Sequence, residues 1–82
     1  MAKIRPLRVH VKKSVRRYLK DMGDIEPENL HRTFLAEIEP PLILETLRYT
    51  AGNQSRAARI LGITRNTLRS KMRQYEIVLK QV

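Results

Sequence analysis

The chain has 82 residues and contains no cysteine and no tryptophan. Without cysteine, neither a disulfide bond nor a thiolate metal site can stabilise the fold. The two histidines, His10 and His31, are too few and too far apart to indicate another kind of metal site. A glycine-rich phosphate loop and a nucleophile with a matching base are also missing, so we expect no cofactor and no enzymatic activity.

Long apolar stretches are missing as well. No run approaches the roughly 20 residues of a membrane-spanning helix, and the N-terminus lacks the hydrophobic core of a signal peptide. We therefore expect a cytoplasmic protein with no membrane partner. A single domain of 82 residues buries only a marginal core, which favours association with another chain.

Acidic residues are scarce outside one part of the chain, and the net charge is +9. Residues 1–20 contain eight lysines or arginines and no acid, residues 21–46 contain seven acids and one arginine, and residues 47–82 contain eight basic residues and one glutamate. A balance this basic indicates a polyanionic partner, nucleic acid first and an anionic membrane surface second. The acidic middle should face away from phosphate.

The stretch from Gly52 to Tyr75 predicts a helix-turn-helix motif. Two short amphipathic helical patterns lie on either side of Gly62. Their apolar residues are Ala57, Ala58 and Leu61 before this glycine, and Leu68, Met72 and Tyr75 after it. Glycine adopts positive φ without steric cost, so we expect Gly62 to end the first helix and form the turn. Asn53 and Thr64 are the expected N-caps of the two helices.

The second helix of this motif carries a basic outer face. Arginine can donate two hydrogen bonds to guanine, and asparagine can pair with adenine, in the major groove of B-DNA. Residues near the start of such a helix reach the base edges. The residues on this face are Arg65, Asn66, Arg69, Ser70 and Arg73. An ordinary solvated helix is the alternative, but solvated faces usually mix charges and no acid occurs from Ala51 to Tyr75.

The N-terminal part predicts an amphipathic helix that starts at Pro6 and ends at Gly23. Its apolar residues recur with helical spacing at Leu7, Val11, Val15, Tyr18 and Met22. A strand-like alternation at Leu7, Val9 and Val11 is shorter, so the helix is favoured. The opposite face contains Arg8, Lys12, Lys13, Arg16, Arg17 and Lys20. A solvated face and a DNA contact both stay open for these six residues.

A second, longer helix is predicted from about Glu28 to Thr50, with Pro27 and acids in its first turn. Its apolar residues form a surface wider than one stripe, including Leu30, Phe34, Ile38, Leu42 and Leu47. A monomer of this length offers too little protein to cover that surface. We therefore expect it to pack against a second copy of the chain, with internal burial as the alternative.

The sequence resembles the Fis family of bacterial nucleoid proteins. The resemblance is carried by residues 35–39, 41–42, 49–50, 52–58 and 62–69, and it extends upstream to Pro6, Leu7 and Arg8. The same helix-turn-helix also forms the C-terminal part of the enhancer-binding activators that are similar to the nitrogen regulator NtrC. The presence of Met1 and the upstream match favour a complete small protein over a detached activator domain.

The resemblance implies an all-α fold with four helices per chain. Two chains would form an intertwined homodimer with a central four-helix core and two helix-turn-helix units. We expect a flexible basic N-terminus at residues 1–5, dimerisation helices at 6–51, the DNA-binding motif at 52–76 and a C-terminal extension at 77–82. The expected dimerisation residues are Val11, Val15, Tyr18, Leu30, Phe34, Ile38, Leu42 and Leu47.

The resemblance also implies a role for individual residues of the motif. Arg65 matches an arginine that reads guanine, whereas Thr64 and Ser70 depart from the asparagine and lysine of the family. The expected DNA-binding residues are Asn53, Ser55, Arg56, Thr64, Arg65, Asn66, Thr67, Arg69, Lys71 and Arg73.

Two further departures concern the helices before the motif. Pro40 and Pro41 remove two amide donors and by local rules break the helix, but the family carries one proline matching Pro41 inside a kinked, continuous helix. We therefore expect a kinked helix, with a break as the alternative. The family also has a mobile hairpin arm before its first helix, whereas only five residues precede Pro6 here. We expect a protein that bends DNA but does not stimulate a recombinase.

The predicted function is that of a DNA-bending, sequence-tolerant nucleoid protein and transcriptional regulator. The expected partners are double-stranded DNA, a second copy of the chain and RNA polymerase. The alternatives are the C-terminal domain of an NtrC-like activator, a helical protein-interaction module, a membrane-surface protein and an RNA-binding protein.

Overall fold

The computed structural model describes residues 6–82 and contains α-helices without strands in that range. The helices are α1 (Leu7–Met22), α2 (Leu30–Tyr49), α3 (Gln54–Leu61) and α4 (Arg65–Gln74), followed by a short 3-10 helix at Leu79–Gln81. The prediction of an all-α fold with four α-helices is therefore confirmed for this part of the chain. The predicted flexible N-terminus, residues 1–5, lies outside the described residues.

The chain divides into two compact units, the first reaching Leu30 and the second covering His31–Val82. In the first unit, α1 follows Pro6 and ends at Gly23, which has φ 61° and donates its N–H to the carbonyl of Lys20 at 3.1 Å. The apolar stripe of α1 is half-buried at Val11, Val15 and Tyr18, and no residue of this helix is fully buried. The predicted helix is present, but α1 has no core of its own.

Helix α2 continues through Pro40 and Pro41, so the expected continuous helix is present and the alternative of a break is not. The prolines cannot donate to the carbonyls of Ala36 and Glu37, four residues earlier. Both of those residues are exposed, so the missing hydrogen bonds fall on a side of the helix that water reaches. The cost of two missing hydrogen bonds is therefore lower here than inside a core.

The start of α2 differs from the predicted one. The helix begins at Leu30, and its first turn contains no acid, whereas we predicted a start near Glu28 with acids in the first turn. Asn29 lies immediately before it with φ 56°, in the left-handed region. A left-handed residue interrupts the helical hydrogen-bond pattern, and asparagine tolerates that conformation better than most residues. Glu28 therefore precedes the helix.

The second unit has a continuous core to which α2, α3 and α4 each contribute buried residues. Its buried residues are Ile43, Leu47, Ala57, Ala58, Leu68, Met72 and Ile77. Leu47 is 0% exposed within one chain, so its assignment to a dimer interface is corrected to a place in this core. Its side chain has no surface left for a partner.

The C-terminal residues close this core. Glu76 has φ 55°, and Ile77 then donates its N–H to the carbonyl of Met72 at 2.8 Å. Ile77 is buried and Val82 packs against the core. The predicted boundary after residue 76 therefore falls inside a single packed unit. The sequence did not reveal this packing, because the short apolar tail has no helical periodicity.

Candidate nucleic-acid interface

The turn between α3 and α4 is formed as the sequence predicts. Gly62 has φ 77° and ψ 28°, and donates its N–H to the carbonyl of Ala58 at 2.9 Å. Ile63 donates to the same carbonyl at 3.0 Å. A Cβ atom at Gly62 would meet no heavy atom within 4 Å, so the glycine is needed for its backbone angle rather than for space.

Both predicted N-caps are confirmed. The Asn53 side chain accepts a hydrogen bond from the N–H of Arg56 at 3.0 Å, and the Thr64 hydroxyl accepts one from the N–H of Thr67 at 3.0 Å. These bonds satisfy amides that have no partner inside their own helices. Because Thr64 caps α4, Arg65 is the first residue of that helix.

Helix α4 has a buried side and an exposed basic side. Leu68 is 0% exposed and Met72 is 7% exposed, which fixes the inner side of the helix against the core. The outer residues Arg65, Asn66, Thr67, Arg69, Ser70 and Arg73 are all exposed. On this face the Arg73 guanidinium makes a long contact of 3.4 Å with the Ser70 hydroxyl, and the Thr64 hydroxyl donates to the Thr67 hydroxyl at 2.8 Å. The face therefore presents three arginines without an acid.

Helix α3 adds a second group of exposed polar residues beside its N-terminus. Ser55 and Arg56 are exposed, and the Arg56 guanidinium lies 5.4 Å from the centre of the Tyr49 ring. Tyr49 is 73% exposed and was not among the predicted site residues. A cation over an aromatic face is attracted by the ring quadrupole, so Tyr49 restricts where Arg56 points.

The N-terminus of α3 is suited to an anion. The first amides of a helix carry partial positive charge, and a basic side chain beside them adds to the attraction for phosphate. Asn53 uses its side-chain oxygen for the cap, which leaves its amide group as a donor. Asn53, Ser55 and Arg56 thus lie together at the N-terminal end of α3.

Lys71 differs from the other predicted DNA-binding residues. Its ammonium lies 3.0 Å from one carboxylate oxygen of Glu39 and 3.2 Å from the other. The two side chains are 28% and 22% exposed, so this pair is half-buried between α2 and α4. Lys71 is therefore held by a carboxylate and is not a free phosphate contact in this structure.

Tyr75 completes this contact by donating its hydroxyl hydrogen to Glu39 at 2.5 Å. The hydrogen bonds from Tyr75 and then Lys71 lower the pKa of Glu39 below its ordinary value, outweighing the effect of burial. The same bond from Tyr75 to the carboxylate raises the pKa of the tyrosine. Glu39 is consequently ionised at neutral pH and accepts from both partners.

The predicted dimerisation residues are distributed over both units. Leu42 is 53% exposed, and Leu30, Phe34 and Ile38 are half-buried.

The basic residues of α1 are all exposed, and Arg17 lies 4.0 Å from Asp21 in an exposed pair. These six lysine and arginine residues belong to the first unit.

Other kinds of site find no support in residues 6–82. Within that range no group of three or more histidine, aspartate or glutamate side chains is placed to bind a metal ion. No helix there combines the length and apolar character needed to cross a membrane. The basic surface of the helix-turn-helix is the strongest candidate site.

Comparison with known sequences shows that the region containing the helix-turn-helix matches a known protein family. The model of the family described as "Bacterial regulatory protein, Fis family" matches residues 34–75, which contain most of α2 and all of α3 and α4.

Relatives align over a longer part of the chain. A Fis-like DNA-binding protein of Xylella fastidiosa is 49% identical over 73 residues, covering 89% of this chain and 81% of that protein. The DNA-binding protein Fis of Glaesserella parasuis is 46% identical over 71 residues, covering 87% and 72% respectively. The same protein of Photobacterium profundum is 45% identical with the same coverage.

Proposed function

The chain belongs to the Fis family of bacterial regulatory proteins, and from this premise we propose that it binds double-stranded DNA as a transcriptional regulator and nucleoid protein. Its action is binding rather than catalysis, and its place is the nucleoid in the bacterial cytoplasm. RNA polymerase is a further proposed partner.

The single observation that carries the proposal is the position of Arg65. It is the first residue of α4, follows a formed cap at Thr64, and is exposed beside the buried side of the helix, about 60° around the axis from Leu68. An arginine there can enter the major groove and donate two hydrogen bonds to guanine. Asn66 and Arg69 lie on the same outer side and supply further contacts to bases or groove edges.

The remaining polar residues would bind the DNA backbone. Asn53, Ser55 and Arg56 would contact phosphate at the N-terminus of α3, with Tyr49 holding the Arg56 guanidinium beside it. Thr67 and Arg73 are exposed on α4 and suit phosphates at the edges of the groove. Thr64 acts through its cap, which fixes where Arg65 begins the helix.

The second part of the proposal is a homodimer. Helix α1 has no buried residue, although Val11, Val15 and Tyr18 form an apolar stripe. Leu42 on α2 is also largely exposed. A second copy would cover these residues in a four-helix core made from α1 and α2 of both chains. This arrangement would present two α4 helices to one side of the DNA.

Bending follows from the dimer as the family resemblance describes it. If the two α4 helices lie closer together than one turn of DNA, the duplex must bend to let both enter the major groove. Such deformation costs about 1–6 kcal/mol and makes binding depend on how easily the sequence bends. We therefore expect many degenerate sites with A·T-rich centres.

A detached activator domain is the less favoured alternative. The relative from Xylella fastidiosa aligns over 73 of the 82 residues, so the alignment must include residues 10–73 and hence most of α1. This is more than the helix-turn-helix that the two families share, and it favours the Fis type.

A gel-shift and bending experiment tests the proposal. Duplexes with an A·T-rich centre placed at different distances from the ends would be combined with the protein, and light scattering would give the number of chains. We expect one dimer per site, a mobility that depends on the position of the site, and affinity that falls steeply with salt. A monomer that shifts no duplex would contradict the proposal and favour a protein-interaction module.

A further inference from the structure

Glu39 connects the second helix to the recognition helix. It lies on α2, one residue before the two prolines, and accepts hydrogen bonds from Lys71 and Tyr75 of α4. These residues are separated from it by 32 and 36 positions in sequence, so the contact joins two distant parts of the chain. All three side chains are half-buried. We call these three residues the α2–α4 clamp.

The clamp provides something that the apolar core does not. Leu68 and Met72 hold α4 against the core through contacts that have little directional preference. Hydrogen bonds weaken steeply when their angle or distance changes. Lys71 and Tyr75 lie four residues apart, on the same side of α4, and both bind one carboxylate. The clamp therefore restrains the rotation of α4 about its own axis more narrowly than the apolar contacts of Leu68 and Met72 do.

This rotation determines which residues face the DNA. With about 100° per residue, Lys71 points roughly away from Arg69, so a clamp at Lys71 holds Arg69 on the outer side. Arg65 lies at the start of the same helix and rotates with it. A second consequence is electrostatic, since the charge of Lys71 is neutralised by Glu39 and is withheld from phosphate.

We propose that Glu39 is a positioning residue for DNA recognition: it orients α4 through Lys71 and Tyr75 and keeps the Lys71 charge away from the DNA backbone. The inference rests on the proposed DNA-binding function. Glu39 would increase the preference of the protein for its preferred duplexes over unrelated duplexes. Loss of Glu39 should therefore weaken binding to a preferred duplex and strengthen binding to an unrelated one.

The test compares Glu39→Ala with Glu45→Ala. Glu45 lies on the same helix, is exposed and binds Arg48 on the surface, so its removal changes the net charge equally without touching α4. Affinity would be measured for a preferred duplex and for an unrelated duplex of equal length, each over a series of salt concentrations. Circular dichroism melts would verify that each variant is folded.

For Glu39→Ala we expect about a tenfold loss of affinity for the preferred duplex, as befits the loss of hydrogen bonds to a charged group. Binding to the unrelated duplex should tighten, and its salt dependence should steepen by about 0.9 for each Lys71 that gains a phosphate contact. Glu45→Ala should tighten binding to both duplexes slightly and equally. Identical behaviour of the two variants would overturn the inference.

Two further variants keep the test decisive if Glu39→Ala does not fold. Tyr75→Phe removes one hydrogen bond and keeps the ring, and should reduce preference without changing the salt dependence. Glu39→Gln keeps an acceptor for both partners but releases the Lys71 charge, and should steepen the salt dependence while retaining more preference than Glu39→Ala. Unchanged preference and salt dependence in both would overturn the inference. If the wild-type protein itself shows no preferred duplex, the result contradicts the proposed function, and the inference, which rests on that function, is then also contradicted.

Discussion

The two units of this chain carry similar amphipathic patterns but differ in what they bury. In the unit of residues 31–82, seven residues of α2, α3, α4 and the tail form one core. In the first unit, α1 has an apolar stripe but no buried residue. Similar amphipathic patterns thus accompany a full core in one unit and no buried residue in the helix of the other.

The difference gives the two units different roles in our account. The core of residues 31–82 includes Leu68 and Met72 of α4, the helix that begins at Arg65. An apolar stripe without a core, in contrast, is suited to association. Recognition would then depend on residues 31–82, and pairing of two recognition units would depend on α1 together with the exposed part of α2.

The largest effect should come from the core of the second unit. Leu68→Ala removes a side chain that is 0% exposed and leaves a cavity, so the free energy of unfolding should fall by about 2–5 kcal/mol. The matched change Leu19→Ala on α1, where the leucine is 43% exposed, should change it by less than about 0.5 kcal/mol. Denaturant unfolding followed by circular dichroism gives both values. Equal losses of stability would contradict the difference in burial between the two units.

Pairing should be more sensitive to α1 than to the core. Val15→Ser places a hydroxyl in the predicted dimer interface, where an unpaired polar group costs about 1–3 kcal/mol, so dimer dissociation should rise markedly. The same change at Val9, which lies about 120° around α1 from Val15 and is 43% exposed, is the control. Sedimentation over a range of protein concentrations measures the dissociation constant. If Val15→Ser and Val9→Ser dissociate alike, the stripe is not the interface.

The turn should tolerate substitution less well than its open surroundings suggest. Gly62→Ala meets no steric neighbour, but an alanine at φ 77° is strained, and the free energy of unfolding should fall by about 1–2 kcal/mol. Denaturant unfolding is the measurement. Stability at or above that of the wild type would show that the turn is not held at this angle in solution.

The clamp should make stability depend on pH at both extremes. The folded pKa of Glu39 is below its ordinary 4.5 because Tyr75 and Lys71 donate to the carboxylate. Its contribution is therefore present above pH 4.5 and is lost as the pH falls through the lowered pKa. The pKa of Tyr75 is raised above 10.0 by the bond to Glu39, so its contribution is lost as the pH rises through that higher value.

Thermal unfolding of Glu39→Gln across the same pH range checks this prediction. The variant lacks the ionisable group, so its acid limb should be flatter than that of the wild type. Parallel acid limbs in the two proteins would mean that Glu39 is not bound by Tyr75 and Lys71 in solution.

The sequence predicts the parts of the site that depend on near neighbours. Gly62 and the caps at Asn53 and Thr64 were predictable because each acts on an amide or a backbone angle within a few residues. The continuous α2 was predictable only through family resemblance, since local rules for Pro40 and Pro41 favour a break.

Contacts between distant residues were not predictable in the same way. Tyr49 meets Arg56 across a chain reversal at positive-φ Ala51 and Gly52, so no helical period relates the two residues. The contact of Glu39 with Lys71 depends on how α4 packs on α2. Lys71 therefore looked like another basic residue of the DNA face. The buried state of Ile77 has the same origin, because it arises from packing of the tail.

The most direct test of the central claim is selection of preferred duplexes from a random pool by the wild-type protein, Arg65→Ala and Arg32→Ala. Arg65 begins α4, whereas Arg32 is exposed at the start of α2 and matches it in charge. We predict that the wild type and Arg32→Ala enrich the same guanine, and that Arg65→Ala loses about 1–3 kcal/mol of discrimination at that base. Enrichment of the same guanine by all three proteins would contradict recognition through Arg65.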